Sequence, residues 1–413
     1  MAAIGVRRTV VLAGGCTIVS HTLSRQAYSL LITAMEDDLG FSHQRAGYLF
    51  TAIFFAYLAG VAMMTVLSGR LAPKRTLVAG LCSSATGFVV LGVVSQFGLL
   101  AVGFLLAGLG SAGIWLSVPT IATSVVAPSH RGTLMGYLSA SMGVGLVIIG
   151  QVVRLVRAGA EDEGLWRPFW IGAAVFSYVV AALVAAFMPT DTTEAFRSRL
   201  TLSNLRAVPG WIPLTGAFLM FGLIVSSFSP FLGPKLEEDG FSRGHVSTLF
   251  SLLGLAAIGA IGFGRLSDRV GRKRILIGAM TMVGVSSLLI VVGREPYVSL
   301  GVLLNGAASF SFPVMVAALI RDHVSDRTFS NALGAITLIY GVSLFTAPLI
   351  AGPIGDSTAG FDLLYVLLCG VAAVGVLLLL FLPADSAQAG SGQDHSGPAM
   401  VQETADADAG VPA

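Results

Sequence analysis

Apolar residues run along this chain in long blocks broken by short polar stretches. Lipid offers the backbone no hydrogen-bond partners, so a block that crosses a bilayer must be a helix of about 20 residues. Twelve blocks are long enough, at roughly 9–34, 45–68, 75–95, 98–126, 133–156, 166–188, 210–236, 244–266, 273–293, 296–320, 329–352 and 360–382. The pattern predicts an all-α integral membrane protein. Its domains are an N-terminal six-helix bundle (1–188), a central loop (189–209), a C-terminal six-helix bundle (210–382) and a tail (383–413). The tail is rich in Ala, Gly, Ser and Asp without Lys or Arg, and is expected to be disordered. The first block is too long, and too polar in its middle, for a cleaved signal peptide, and reads as a retained span.

Composition agrees. The 413 residues are 55% hydrophobic and 11% charged, with a mean hydropathy of +0.84. Soluble domains carry roughly 25% charged residues. A net charge of +2 is too small to imply a nucleic-acid partner. Cys16, Cys82 and Cys369 lie far apart in apolar runs, which disfavours a disulfide framework or a metal site, and no cofactor is expected. No nucleotide-binding loop, nucleophile–base pair or metal-ligand cluster presents itself, so an enzymatic role has no support.

Basic residues set the topology. With the N-terminus inside, sixteen Lys and Arg fall in internal segments and seven outside, which puts both termini in the cytoplasm. The halves also resemble each other. "FSHQRAGYLF" (41–50) aligns with "FSRGHVSTLF" (241–250), and "GRLAP" (69–73) with "GRLSD" (264–268). Gly108, Gly136 and Gly143 align with Gly306, Gly334 and Gly341. A near-constant offset indicates a duplicated six-helix unit, and two such units packed side by side enclose a cavity at mid-membrane depth.

The stretch "GRLSDRVGRKR" (264–274) joins spans eight and nine. Gly264 permits close helix approach, and Asp268 can accept hydrogen bonds from a helix N-terminus. Gly271 suits a tight turn, Arg272 and Lys273 can anchor the loop at lipid headgroups, and Arg269 completes the motif. This stretch resembles the loop motif of the major facilitator superfamily (MFS), and the resemblance extends over residues 9–382. The first copy is degraded, with Pro73 where Asp268 stands in the second. The resemblance implies a cytoplasmic latch in which Asp268 meets the start of span five near Arg131. Within the superfamily, "SRQAYSLLITAMEDDLGFSHQRAGYL" (24–49) and "GIWLSVPTIATSV" (113–125) resemble the bacterial YbfB/YjiJ-type branch. Arg25, Ala27, Tyr28, Leu39, Gly40 and Ser42 fit that pattern, and Gln26 departs from it. The resemblance implies alternating access in the bacterial inner membrane, by a protein expected to act as a monomer among lipids.

Span one holds an arginine in its middle, at a cost of about 2.5–3.5 kcal/mol on insertion scales. Each of Thr17, His21, Ser24, Arg25 and Tyr28 lies three or four residues from another of the set, so an α-helix would put them on one polar stripe. None of the 22 acidic residues lies in the middle of a span, although Glu36, Asp37 or Asp38 could approach if span one ends early. The counter-charge is then expected to come from cargo, a small organic anion and in first place a carboxylate, which a guanidinium grips through two parallel hydrogen bonds. The bland alternative is a structural arginine bonded to helix-end carbonyls. His21, one turn away, is the titratable candidate for carrying a coupled proton, since a bound anion would relieve its repulsion by Arg25. Trp115, Asn305 and Tyr340 are further candidates for orienting the substrate's polar groups, though each could equally be a packing residue. The competing function is proton-driven efflux of amphipathic drugs or metabolites, favoured by apolar walls and by Met63, Met64, Met220 and Met315.

Overall fold

The computed structural model describes residues 2–66, 72–126, 131–158, 164, 166–189, 205–206, 208–259, 261–324 and 326–383. Among the described residues every regular element is a helix. The first crossing consists of α1 (Ala2–Thr17), a π-helical segment (Ile18–Gln26) and α2 (Ala27–Leu39). Then follow α3 (His43–Val66), α4 (Pro73–Val93), α5 (Phe97–Ser124), α6 (Arg131–Ala158) and α7 (Trp166–Phe187). The second half holds α8 (Trp211–Glu238), α9 (Arg243–Gly259), α10 (Ile261–Val270), α11 (Arg272–Val291), α12 (Tyr297–His323), α13 (Asp326–Gly355) and α14 (Gly360–Leu380). Ten of these helices are long and apolar enough to cross a membrane on their own. The first and eighth crossings are assembled from shorter pieces, α9 and α10 making the eighth. The chain is a multi-pass membrane protein of two pseudo-symmetric six-helix bundles. The expected central loop and tail fall almost wholly outside the described residues.

The repeat seen in sequence recurs as geometry. α2 and α8 each end at a left-handed glycine, Gly40 (φ 65°) and Gly240 (φ 88°), a conformation open to a residue without a Cβ. Gly108 of α5 lies so close to the Ile53 carbonyl of α3 that a Cβ would collide with it, and Gly306 of α12 stands likewise against the Leu253 carbonyl of α9. The aligned glycines therefore mark equivalent helix contacts, made by close backbone approach as membrane helices favour.

The two halves meet through α3 against α13 and α6 against α9. A Cβ on Gly47 would lie 2.5 Å from the Pro348 carbonyl, and one on Gly143 would lie 2.6 Å from that of Gly254. Thr51 donates to the Phe345 carbonyl (3.1 Å), and Gln151 donates through its amide nitrogen to Ser251 Oγ (2.8 Å). These contacts occupy the half of the bundle away from the chain termini, called here the distal half.

Candidate functional site

The site is built around the π-helical segment. Its nine residues run from Ile18 to Gln26, and Ser24 Oγ donates back to the Val19 carbonyl (2.8 Å), five residues earlier. Such widened turns are rare and cluster where a helix serves function. Neighbouring helices support the segment. Ser20 Oγ donates to the Ser111 carbonyl of α5 (3.1 Å), Ser111 Oγ donates to the Ser20 carbonyl (2.8 Å), and Thr22 Oγ1 donates to the Met142 carbonyl of α6 (3.3 Å).

Arg25 projects from this segment between the halves. Its guanidinium carbon lies 3.7 Å from the centroid of the Tyr57 ring on α3, and Nε donates to Ser111 Oγ (3.2 Å). Nη2 is buried and has no hydrogen-bond partner. Across the gap stands Tyr340 of α13, within electrostatic reach of both Arg25 and Tyr57. Tyr340 stacks on Phe218 with ring centroids 4.2 Å apart at 9°, and Phe221 stacks on Phe312 at 4.3 Å and 11°. Tyr340 is thus backed by an aromatic stack of the second half. His21 lies 5.5 Å from Phe310 of α12, ring to ring, and its Nδ1 is buried without a partner.

The three acids that could have reached Arg25 are engaged at the distal face. Glu36 holds His43 Nδ1 at 2.8 Å. Asp37 pairs with Arg243 of the second half. Asp38 accepts from Trp166 Nε1 at 3.0 Å and lies 3.5 Å from Arg167. α2 runs to Leu39, so these side chains sit at its far end. Among the described residues no carboxylate forms a salt bridge with Arg25.

The polar stripe expected of an α-helix is altered by the π-helical winding. His21 and Arg25 remain exposed to the space between the halves, at intermediate burial. Tyr28 does not. It is 1% exposed, wedged between Phe50 (4.5 Å) and Phe104 (4.6 Å), and belongs to the packing of the first half. Ser24 is spent on the Val19 carbonyl. Trp115 lines a small cleft whose other walls, including Thr17, Ser20, Pro119 and Met142, also come from the first half alone. Asn305 is 1% exposed, accepts from Ser309 Oγ at 3.1 Å, and has an unpartnered Nδ2. The sequence reading missed Tyr57, Ser111, Phe218 and Phe310. A tyrosine or serine in an apolar span carries no signal of its own until its helix is placed against Arg25.

The distal face carries a second cross-half cluster. The Asp356 carboxylate, at the end of α13, accepts from the backbone N–H of His43 (3.0 Å) and of Gln44 (2.8 Å), so it caps α3 from the opposite half. His43 bridges Glu36 to Glu238, whose carboxylate is 3.7 Å from Nε2. The equivalent helix start in the second half is capped locally, His245 N–H donating to Ser242 Oγ at 3.3 Å.

Of the loop motif, Gly271 takes φ 103° between α10 and α11, the sharp turn the sequence predicts. Arg272 Nε reaches Asp322 of α12 (3.1 Å), and Lys273 Nζ reaches the Leu380 carbonyl (2.9 Å). Both engage protein groups of their own half where headgroup anchoring was expected. Arg269 is exposed. The side chains of Gly264, Asp268 and Arg131 lie outside the described residues, as does most of the first copy of the motif.

Two six-helix halves packed about a polar group in an apolar interior are the architecture of a membrane transporter of the MFS class. Solved structures agree on the fold. The nucleoside transporter NupG superposes with a TM-score of 0.73 at 14% identity, covering 91% of this chain and 98% of that one. A bacterial homolog of the human lysosomal transporter Spinster, in an inward-facing and occupied conformation, gives 0.69 at 14% identity, covering 92% and 94%. Among curated relatives, the uncharacterized MFS-type transporter YhhS of Escherichia coli strain K12 is 26% identical over 364 residues (83% of this chain, 85% of that one). The probable sulfoacetate transporter SauU of Cupriavidus necator is 23% identical over 404 residues (87% and 90%). The family described as the uncharacterised MFS-type transporter YbfB matches residues 17–381, and the chain belongs to it. The protein is therefore a transporter and not an enzyme.

Proposed function

We propose that this protein is a secondary active transporter of a small organic anion, held through its carboxylate by Arg25, with a proton moving in the same direction on His21. The observation that carries the reading is the guanidinium itself. It sits between the halves with Nη2 buried and unpartnered, while Glu36, Asp37 and Asp38 are committed elsewhere. A fixed cation in an apolar interior attracts an anion far more strongly than it would in water. One curated relative, the probable sulfoacetate transporter, is named for an organic anion.

Moving a monoanion inward against an inside-negative potential costs about 2.3 kcal/mol per 100 mV, and a co-transported proton cancels that charge. His21 is placed for it, one turn from Arg25 with Nδ1 free of any partner. The excess of basic residues in alternate loops puts both termini in the cytoplasm. The distal face is then extracellular, and the loop around Gly271, with Asp268 and Arg131, is the cytoplasmic latch. Amphipathic-drug efflux is the weaker alternative, because a cationic cargo would need a carboxylate beside it in the membrane interior.

The test is Arg25→Lys and Arg25→Gln in liposomes, with counterflow of a panel of labelled carboxylates. Loss of uptake in Arg25→Gln with partial retention in Arg25→Lys is expected. Uptake surviving Gln with unchanged apparent KM would overturn the binding role. His21→Gln is expected to abolish accumulation driven by a pH gradient while sparing counterflow; undiminished accumulation would place the proton elsewhere.

A further inference from the structure

Arg25 is held in a way that restricts which anions fit it. A guanidinium offers two forks for bidentate binding, one along Nε and the adjacent Nη, the other across the two Nη atoms. Nε is already committed to Ser111 Oγ, and Ser111 is in turn tied to Ser20 by reciprocal hydrogen bonds. The side fork is therefore closed, and the end fork, which includes the unpartnered Nη2, is left. The Tyr57 ring covers the guanidinium from one side, its centroid 3.7 Å from Cζ. Tyr57 is itself 6% exposed, which fixes its ring against the first half.

A carboxylate bound across the end fork keeps both oxygens and its C–C bond in the guanidinium plane. It can approach alongside the Tyr57 ring without pressing on it. A sulfonate or phosphonate cannot do this. With two oxygens in the plane, its remaining oxygen and its carbon point to opposite sides, and one must turn toward the covered side. A group turned that way is crowded against the rim of the Tyr57 ring, a contact the planar carboxylate avoids. We propose that Tyr57 and Ser111 are positioning residues that make the Arg25 site select planar carboxylates over tetrahedral anions of the same charge. This rests on the anion-binding reading of Arg25 and adds to it the class of headgroup and the residues that choose it.

The test uses purified protein and matched pairs of ligands: acetate and methanesulfonate, propionate and ethanesulfonate, benzoate and benzenesulfonate. Binding is measured by thermal stabilisation and by competition in counterflow, for wild type, Tyr57→Phe, Tyr57→Leu, Ser111→Ala and Arg25→Gln. Wild type is expected to prefer the carboxylate of a pair by about tenfold or more. Tyr57→Phe keeps the ring and should keep the preference, which also reports that the site still folds. Tyr57→Leu should bring the pair to within about twofold, because the covered face is opened. Ser111→Ala frees Nε, and should raise KM for the carboxylate with maximal rate preserved. A preference unchanged in Tyr57→Leu, while Arg25→Gln abolishes binding, would overturn this inference and leave the anion site standing. If Arg25→Gln binds every ligand as wild type does, or wild type binds none, the anion reading falls and this one with it.

Discussion

The Asp356 cap lends itself to a quantitative prediction because it joins the two halves. Its two carboxylate oxygens accept from His43 and Gln44 N–H at 3.0 and 2.8 Å. A side-chain cap on a helix start is worth about 0.5–2 kcal/mol, and an anion placed there adds about 0.3–1 kcal/mol at an exposed site. Asp356 is exposed, so the lower part of these ranges applies. Asp356→Asn keeps one acceptor oxygen and loses the charge, and should weaken the distal-closed state by about 1 kcal/mol, or roughly fivefold in population. Because α3 begins on one half and Asp356 hangs from the other, the loss falls on the closed state and spares each half's own fold. Spin labels at Ser42 and Thr358, both exposed and on opposite halves, would report it as electron–electron distances in nanodiscs, in a background lacking Cys16, Cys82 and Cys369. The expected result is a larger long-distance fraction in Asp356→Asn with an unchanged melting temperature. Identical distance distributions in the two proteins would refute the argument that this cap biases the conformation.

Three further outcomes follow from the same contacts. Gly47→Ala puts a Cβ 2.5 Å from the Pro348 carbonyl, so the same spin-label pair should separate further than in Asp356→Asn. Arg243 and Asp37 are 34% and 41% exposed, and a double-mutant cycle on the distal-closed population should return a coupling of no more than about 1 kcal/mol, falling with added salt. Gly271→Ala forces a Cβ into a turn at φ 103°, and should cost about 1–3 kcal/mol of stability, seen as a lower melting temperature in detergent.

The fold was legible because lipid leaves the chain so few choices. Blocks of apolar residues of spanning length can only be helices, and their separators carry the charge that orients them. The duplicated glycines were legible for the same reason, since close helix approach in a membrane depends on small residues. What escaped was the local winding of span one. An α-helical spacing puts Tyr28 with Arg25, whereas the π-helical segment from Ile18 to Gln26 leaves Tyr28 packed between Phe50 and Phe104. Ser24 falls on the expected polar stripe, and Ser20 and Thr22 stand close by in sequence. Their hydroxyls are instead spent on carbonyls at Ser111, Met142 and Val19. Arg25 stood out as a lone charge, but its partners Tyr57 and Ser111 come from helices whose placement only the folded bundle supplies.

Where the halves meet, backbones approach closely at Gly47, Gly143, Gly254 and Gly352. Backbones that meet this way slide apart with less side-chain rearrangement than interlocked rotamers would need. What decides whether they stay together is then a short set of charged groups at the rim, within reach of dissolved ions. The balance between open and shut on that side should accordingly track the ionic strength of the medium it faces.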